Sequence, residues 1–180
     1  MVIDTSALIA ILLDEPERRA FTVAIEEAES RTVSAATLFE TSIVIESRFG
    51  AEGLRYLDQL VERADMELAP FDAEQLGIAR RAFSRFGKGR HAAGLNFGDC
   101  FSYALAKALG APLLYKGNDF AKTDVEAAVR PGRPRRPACP EVSPAAVAAS
   151  TGLGVSLNLS TCWGEIVREG RKDGTRGMKG

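Results

Sequence analysis

Apolar residues fall along this chain in short runs and in helical stripes that alternate with one another. The opening run Met1-Val2-Ile3 ends on Asp4 and suits a short strand. Thr5 and Ser6 follow, and their hydroxyls predict the cap of a helix over Ala7–Leu12, because such oxygens accept from the free amides of a first turn. Glu17 to Glu29 sets Phe21, Val23, Ala24, Ile25 and Ala28 among charges and predicts a second helix. Arg31-Thr32-Val33-Ser34-Ala35 reads as a brief strand. Thr37 to Arg48 carries Leu38, Ile43 and Ile45 beside Glu40 and Glu46; its length favours a helix, although Ile43-Val44-Ile45 alone would suit a strand equally well. Glu52–Ala64 places Leu54, Leu57, Leu60 and Val61 on one helical face.

Met66–Ala69 before Pro70 predicts another strand, and Asp72 through Phe86 a helix packing Leu76, Ile78, Ala79 and Phe83. Gly87–Gly94 is a basic, glycine-containing loop. Asn96 starts a helix over Phe97–Leu109, which Gly110 ends. Pro112-Leu113-Leu114-Tyr115 reads as a buried strand, Gly117-Asn118-Asp119 as a turn, and Val125–Val129 as a last edge strand. Strands alternating with helices predict an α/β fold, a mainly parallel sheet covered on both faces.

The 180 residues, 46% hydrophobic and 26% charged, suffice for one packed domain with an appendage. No stretch approaches the roughly 18 apolar residues of a membrane helix. The apolar run Ala7 to Leu13 is preceded by an acid, the reverse of a secretory signal, so a cytoplasmic protein without membrane contact is expected. Cys100, Cys139 and Cys162 form no C-x-x-C pair, and with the single His91 they supply no usual zinc site; Cys100 is expected to pack as a small apolar residue.

Charge divides the chain. Residues 1–129 hold 14 Lys+Arg against 20 Asp+Glu, a net −6, while residues 130–180 hold 9 against 4, a net +5. Beyond Arg130, prolines at 131, 134, 137 and 140 recur among arginines, and eight of the 17 glycines follow in residues 130–180. Residues 1–129 are therefore expected to form the domain. Residues 130–180 are expected to be a largely disordered tail, with Val155–Leu159 and Cys162–Val167 its only candidates for local structure.

Four acids fall at the edges of these elements. Asp4 closes the first strand, Glu40 lies in the first turns of the helix after Thr32–Ser34, Asp99 is near the start of its helix, and Asp119 follows Leu113–Tyr115 by a short turn. Ligands of open parallel sheets gather beyond the carboxyl ends of strands. Each acid also has a plainer role open to it: Asp99 at a helix dipole, Asp119 in a turn, Glu40 as a solvated charge. Asp4 is the hardest to treat so, because an unpaired charge at the end of a buried strand is costly. Four carboxylates in one cleft would repel one another, and a divalent cation resolves the conflict. Magnesium takes one or two carboxylates, keeps waters and binds substrate phosphate, which suits phosphodiester hydrolysis.

Val2-Ile3-Asp4-Thr5-Ser6-Ala7-Leu8, Thr41-Ser42 after Glu40, the segment Leu95-Asn96-Phe97-Gly98-Asp99-Cys100-Phe101-Ser102-Tyr103-Ala104-Leu105-Ala106, and Pro112 through Asp124 occur in consistent order over about residues 1–129. Together they resemble the VapC branch of PIN-domain toxin ribonucleases. The resemblance implies a three-layer α/β/α sandwich and a magnesium-dependent endoribonuclease, with manganese able to substitute. Carried over by position, Asp4, Glu40, Asp99 and Asp119 form the acidic site. Asp4 and Asp99 are the principal metal ligands, Glu40 and Asp119 support metal or water, and Asp124 is a weaker candidate that fits a loop-fixing role equally. Thr5 or Ser6 either orients a carboxylate, touches phosphate or only caps. The tail past Arg130 departs from the family's short ending.

The resemblance also implies an RNA substrate, homodimerisation and a small VapB-like antitoxin over the acidic cleft. Arg80, Arg81, Arg85, Lys88 and Arg90, with Lys116 and Lys122 flanking Asp119, form either an RNA track or ordinary solvated charge. Two other functions compete. A magnesium phosphatase with Asp4 as nucleophile usually needs a second aspartate two residues on, where Ser6 stands. The other is a catalytically silent RNA- or protein-binding module.

Overall fold

Val2 and Ile3 form β1 (Val2–Ile3), the inner strand of a four-stranded sheet in a computed structural model that describes residues 1–129. The tail, with Cys139, Cys162, Val155–Leu159 and Cys162–Val167, lies outside the described residues. Helices α1 (Thr5–Leu12) and α2 (Arg18–Glu26) follow, then β2 (Thr32–Ser34), α3 (Ala35–Arg63), β3 (Glu67–Ala69), α4 (Ala73–Phe86), α5 (Phe97–Leu109) and β4 (Leu113–Leu114). A single 3-10 turn spans Phe120–Lys122.

All strands run parallel, in the order β3-β2-β1-β4. Val2 stands opposite Thr32 on one side and Leu113 on the other, and Ile3 opposite Leu114. Successive strand residues point to opposite faces, and the core divides accordingly. Val2 and Leu113 pack with Ala79, Ala82 and Phe86 of α4 and Tyr103 to Ala106 of α5. Ile3, Val33 and Leu114 pack on the other face with Leu8 and Ile11 of α1, Phe21 and Ile25 of α2, and Leu60 near the end of α3. The sheet is thus the middle layer of an α/β/α sandwich.

Three local expectations need correction, and one open alternative is resolved. Helix α1 begins at Thr5, and its cap is Asp4, whose carboxylate accepts from the Ser6 amide; the hydroxyls of Thr5 and Ser6 are thereby freed for other partners. Ile43–Ile45 continues α3 rather than forming a strand, because Ile45 is buried on the helix's inner face while Ile43 is exposed on the outer one. The two helices expected on either side of Gly50 run on end to end, broken where Gly50 adopts φ 61° and ψ −155°. That conformation penalises any residue with a Cβ. Val125–Val129 forms no strand; it touches β4 through one bridge, in which the Leu113 amide donates to Glu126 and the Ala128 amide to Leu113, both at 2.8 Å.

Leu8 is fully buried between the sheet and its helical layer. Leu8→Ala is expected to destabilise the domain by about 2–5 kcal/mol, from lost transfer energy and the cavity left behind. Urea unfolding of the variant beside the parent checks this, and a midpoint shift with unchanged slope is the expected result.

Candidate active site

The chain leaves β1 towards β2 and β3, then crosses back to lay β4 on the other side of β1. The carboxyl end of β1 is therefore the point at which the strand order reverses, where parallel sheets open a crevice. Asp4 is the next residue. Its amide donates to Leu114 O at 3.0 Å, and its side chain is buried, 3% exposed. Asp4 Oδ2 accepts from the Ser6 amide at 2.9 Å and from the Ser6 hydroxyl at 2.6 Å. Ser6 Oγ in turn accepts from the Lys116 amide at 2.9 Å, which ties the chain after β4 to the start of α1. Two donors on one oxygen and the positive end of α1 compensate the burial of this charge.

Glu40 lies on α3 and reaches back to α1, where Thr5 Oγ1 donates to Glu40 Oε2 at 2.7 Å. The Glu40 carboxylate rests on the α-carbon of Gly98: a Cβ built there would fall well inside contact distance of both its oxygens. Gly98 thus fills a place in α5 where only hydrogen fits. Asp99 follows it. Asn96 and Asp99 form a reciprocal capping box, the Asn96 amide donating to Asp99 Oδ2 at 2.7 Å and the Asp99 amide to Asn96 Oδ1 at 2.9 Å. Asp99 thus sits in the first turn, where the dipole role weighed for it would place it, and also closes a capping box that engages only one carboxylate oxygen. Burial, together with the charges of Asp4, Asp119 and Glu40, pushes the Asp99 carboxyl up to about 6 against the stabilising Asn96 bond. All four predicted acids share one electrostatic neighbourhood.

Asp119 stands at the head of the 3-10 turn, exposed, with no hydrogen-bond partner among the described residues. Among those residues no three His, Cys, Asp or Glu groups close tightly enough on one point to hold a metal ion as they stand. Held apart by Ser6, Thr5 and Asn96, the carboxylates still present unpaired oxygens to the crevice. Such hard oxygen donors fit magnesium, which needs only one or two of them beside water and phosphate. Ser34 adds to the fit. It ends β2 level with Asp4 in the parallel register, and its buried hydroxyl has no partner.

Two predicted groups are engaged elsewhere, and Cys100 packs as expected. Asp124 accepts from the Tyr103 hydroxyl and pairs with Arg85 at 3.3 Å and Lys107 at 3.7 Å, so it is a loop anchor and not a ligand beside Asp99. The Tyr103 bond, with the charges of Lys107 and Arg85, holds the Asp124 carboxyl below its ordinary value. Lys116 is not free to meet RNA, since its Nζ bridges Glu15 at 2.8 Å and Glu17 at 3.0 Å. The Cys100 thiol, pushed up to about 11 by burial and by Asp99, is no thiolate, in keeping with a packing role. Sequence reasoning passed over Gly98 and Ser34. A glycine inside the first turn of a helix was the available signal for the first.

The PIN-domain family profile matches residues 1–126. The chain belongs to the PIN-domain family. Within it the chain is of the VapC type. It is 58% identical over 127 residues to "Ribonuclease VapC" of Mycolicibacterium smegmatis, covering 71% of this chain and 98% of that one. It is 52% identical over 131 residues to "Ribonuclease VapC30" of Mycobacterium tuberculosis, covering 73% and 100%. Among solved structures, Mycobacterium tuberculosis VapC20, described as a sarcin-ricin loop cleaving toxin, superposes with a TM-score of 0.59 at 17% identity, over 72% of this chain and 98% of that one. At that identity the likeness speaks for the PIN fold alone. Both sequence relatives end near the end of the described domain here, so residues 130–180 extend past the PIN match.

Two outcomes follow from this geometry. A carboxyl raised in the folded state from 3.8 costs stability once ionised; the cost is absent below pH 4 and complete above pH 6. Asp99→Asn is therefore expected to stabilise the metal-free protein by about 1 kcal/mol at pH 7.5, a figure reduced for solvent screening on the exposed side. The gain should vanish at pH 4, as melts in chelator at both pH values would reveal. Gly98→Ala should leave the fold intact but push Glu40 off Thr5, lowering nuclease activity with a melting temperature within a few degrees of the parent, read by cleavage assay and thermal melt side by side.

Proposed function

We propose that this VapC-type PIN domain is the endoribonuclease toxin of a VapBC pair and that it hydrolyses RNA phosphodiester bonds with magnesium. The observation that carries the reading is the placement of Asp4 at the carboxyl end of β1, Glu40 on Thr5 and Gly98, and Asp99 at the start of α5. Asp119 is near enough for its charge to act on Asp99, whose carboxyl burial and these neighbouring charges raise. Crowded carboxylates are a liability to a protein with no cation to bind.

In this reading Asp4 and Asp99 hold the ion through the oxygens that Ser6 and Asn96 leave unpaired. Glu40, fixed by Thr5, and Asp119 orient bound water or complete the shell. Bound magnesium supplies Lewis acidity to the phosphoryl oxygen and eases deprotonation of the attacking water. The buried Ser34 hydroxyl, level with Asp4 on β2, is left without a partner among the described residues, and Ser6 keeps Asp4 from turning away. Manganese has similar ligand preferences and should replace magnesium.

The partners follow from the same surfaces. An antitoxin of the VapB type would bring a cationic side chain to the acidic crevice and compete with metal. A second copy of the chain has an apolar contact in Phe39 and Ile43, 68% and 52% exposed and one turn apart on α3. Among the described residues no helix is long and apolar enough to cross a membrane, and the reading places the protein in the cytoplasm with its RNA. The phosphatase reading still lacks the second aspartate, since Ser6 spends its hydroxyl on Asp4.

Purified full-length protein should cut RNA internally with magnesium or manganese and not in EDTA. Asp99→Asn should lower the rate by at least about a hundredfold, since even supporting residues of metal sites are worth 10–100-fold. Cleavage that survives both chelation and this variant would overturn the proposal. Phosphate release without chain scission would favour the phosphatase.

A further inference from the structure

One stretch of the acidic domain is free of acids, and only Arg85 within it pairs with a carboxylate, that of Asp124. From Gln75 to Gly98 the chain carries five Lys+Arg and no Asp or Glu, within a domain of net −6. Helix α4 supplies most of that charge. Arg80, Arg81 and Arg85 border an open cleft of about 610 Å³ on its outer side, lined also by Gly77 and Ser84. Arg81 lies along the helix, its Nη1 3.5 Å from the place a Cβ would occupy on Gly77, so the missing side chain one turn back makes room for the guanidinium. Arg80, Arg81, Lys88 and Arg90 have no carboxylate partner among the described residues, whereas Lys116 and Lys107 are both paired. Arg90 lies over the ring of Phe83, itself 39% exposed between the arginines.

Lys122, three residues past Asp119, donates to Ala92 O at 2.9 Å, which fastens the segment after Asp119 to the loop that follows α4. Phe86, Ala93 and Phe120 share the core beneath. The segment that carries Asp119 is thereby joined to the loop that carries Lys88 and Arg90, next to α4 in the chain.

We infer that the outer face of α4, centred on Arg80 and Arg81, is the subsite that holds the phosphate backbone of single-stranded RNA leading away from the cleavage point. The inference rests on the ribonuclease reading. An acidic site repels its own polyanionic substrate, so binding energy must come from cations outside it, and the guanidinium fork suits phosphate. Unpaired arginines beside an exposed aromatic are the makings of a sequence-tolerant single-strand track.

The test measures binding of a fluorescein-labelled oligouridylate to full-length protein carrying Asp99→Asn, by anisotropy over a salt series, and cleavage of RNA by protein with Asp99 intact. Arg80→Ala with Arg81→Ala is compared with Arg48→Ala plus Arg63→Ala, an equal loss of charge from α3. Each lost phosphate contact should flatten the log–log salt slope by about 0.7 and weaken binding roughly fivefold near 0.1 M salt, hence about 25-fold for the α4 pair. KM for cleavage should rise with kcat unchanged, the mark of lost uniform binding, and the α3 pair should do neither. Equal effects of the two pairs, or none, overturn the inference while continued cleavage leaves the ribonuclease reading standing. Protein that neither binds nor cuts RNA overturns both. Loss of binding only to a polyglutamate peptide assigns the surface to an acidic protein and likewise overturns the inference.

Discussion

A buried aspartate at the junction of the first strand and the first helix sets the terms for the rest of the molecule. Asp4 is placed there by the parallel sheet, because it follows β1, one of the two inner strands, at the point where the strand order reverses. Its charge survives burial because α1 starts on it: the Ser6 amide and hydroxyl both donate to one carboxylate oxygen, and Ser6 also takes the Lys116 amide from the chain after β4. One small hydroxyl thus joins the cap, the acid and the neighbouring strand. Removing it would unsettle geometry on three elements at once.

Around that centre the fold concentrates like charge instead of dispersing it. Glu40 is brought in from α3 and seated on Gly98, and Asp99 from α5 is held by its capping box. Burial first, and then the charges of Asp4, Asp119 and Glu40, raise the Asp99 carboxyl to about 6. Asp4, Glu40 and Asp99 are each restrained by a donor, and Asp119 by none among the described residues, which leaves a set of carboxylates not closed on a point. A hydrated ion that keeps water in its shell and shares its coordination with substrate is better served by such an open arrangement than by a tight protein cage.

Positive charge is managed with equal care. Lys116, next to the site in sequence, is neutralised by Glu15 and Glu17, and Arg85 and Lys107 share Asp124. On α4 and its following loop, Arg80, Arg81, Lys88 and Arg90 have no carboxylate partner among the described residues. Metal and polyanion make opposite demands on electrostatic potential, and separating the two regions on one surface satisfies both.

Element order and the parallel sheet were legible in the chain, as was the position of the four acids at the edges of elements, because period-2 and period-3.6 patterns and residues at strand ends are local signals. The strand reading open for Ile43-Val44-Ile45 disappeared only when tertiary packing buried Ile45 against its neighbours, since a short apolar run carries no period of its own. The cap of α1 was assigned to hydroxyls rather than to Asp4, as both residue types cap equally well in isolation. Asp124 and Lys116 were the sharper lesson. Each stands beside the site in sequence, yet partners distant along the chain, Tyr103, Arg85 and Glu15, claim them. By itself the sequence determined which residues carry charge and which elements present them; the tertiary structure alone decided which charges meet, because the field at a carboxylate depends on distances that folding creates.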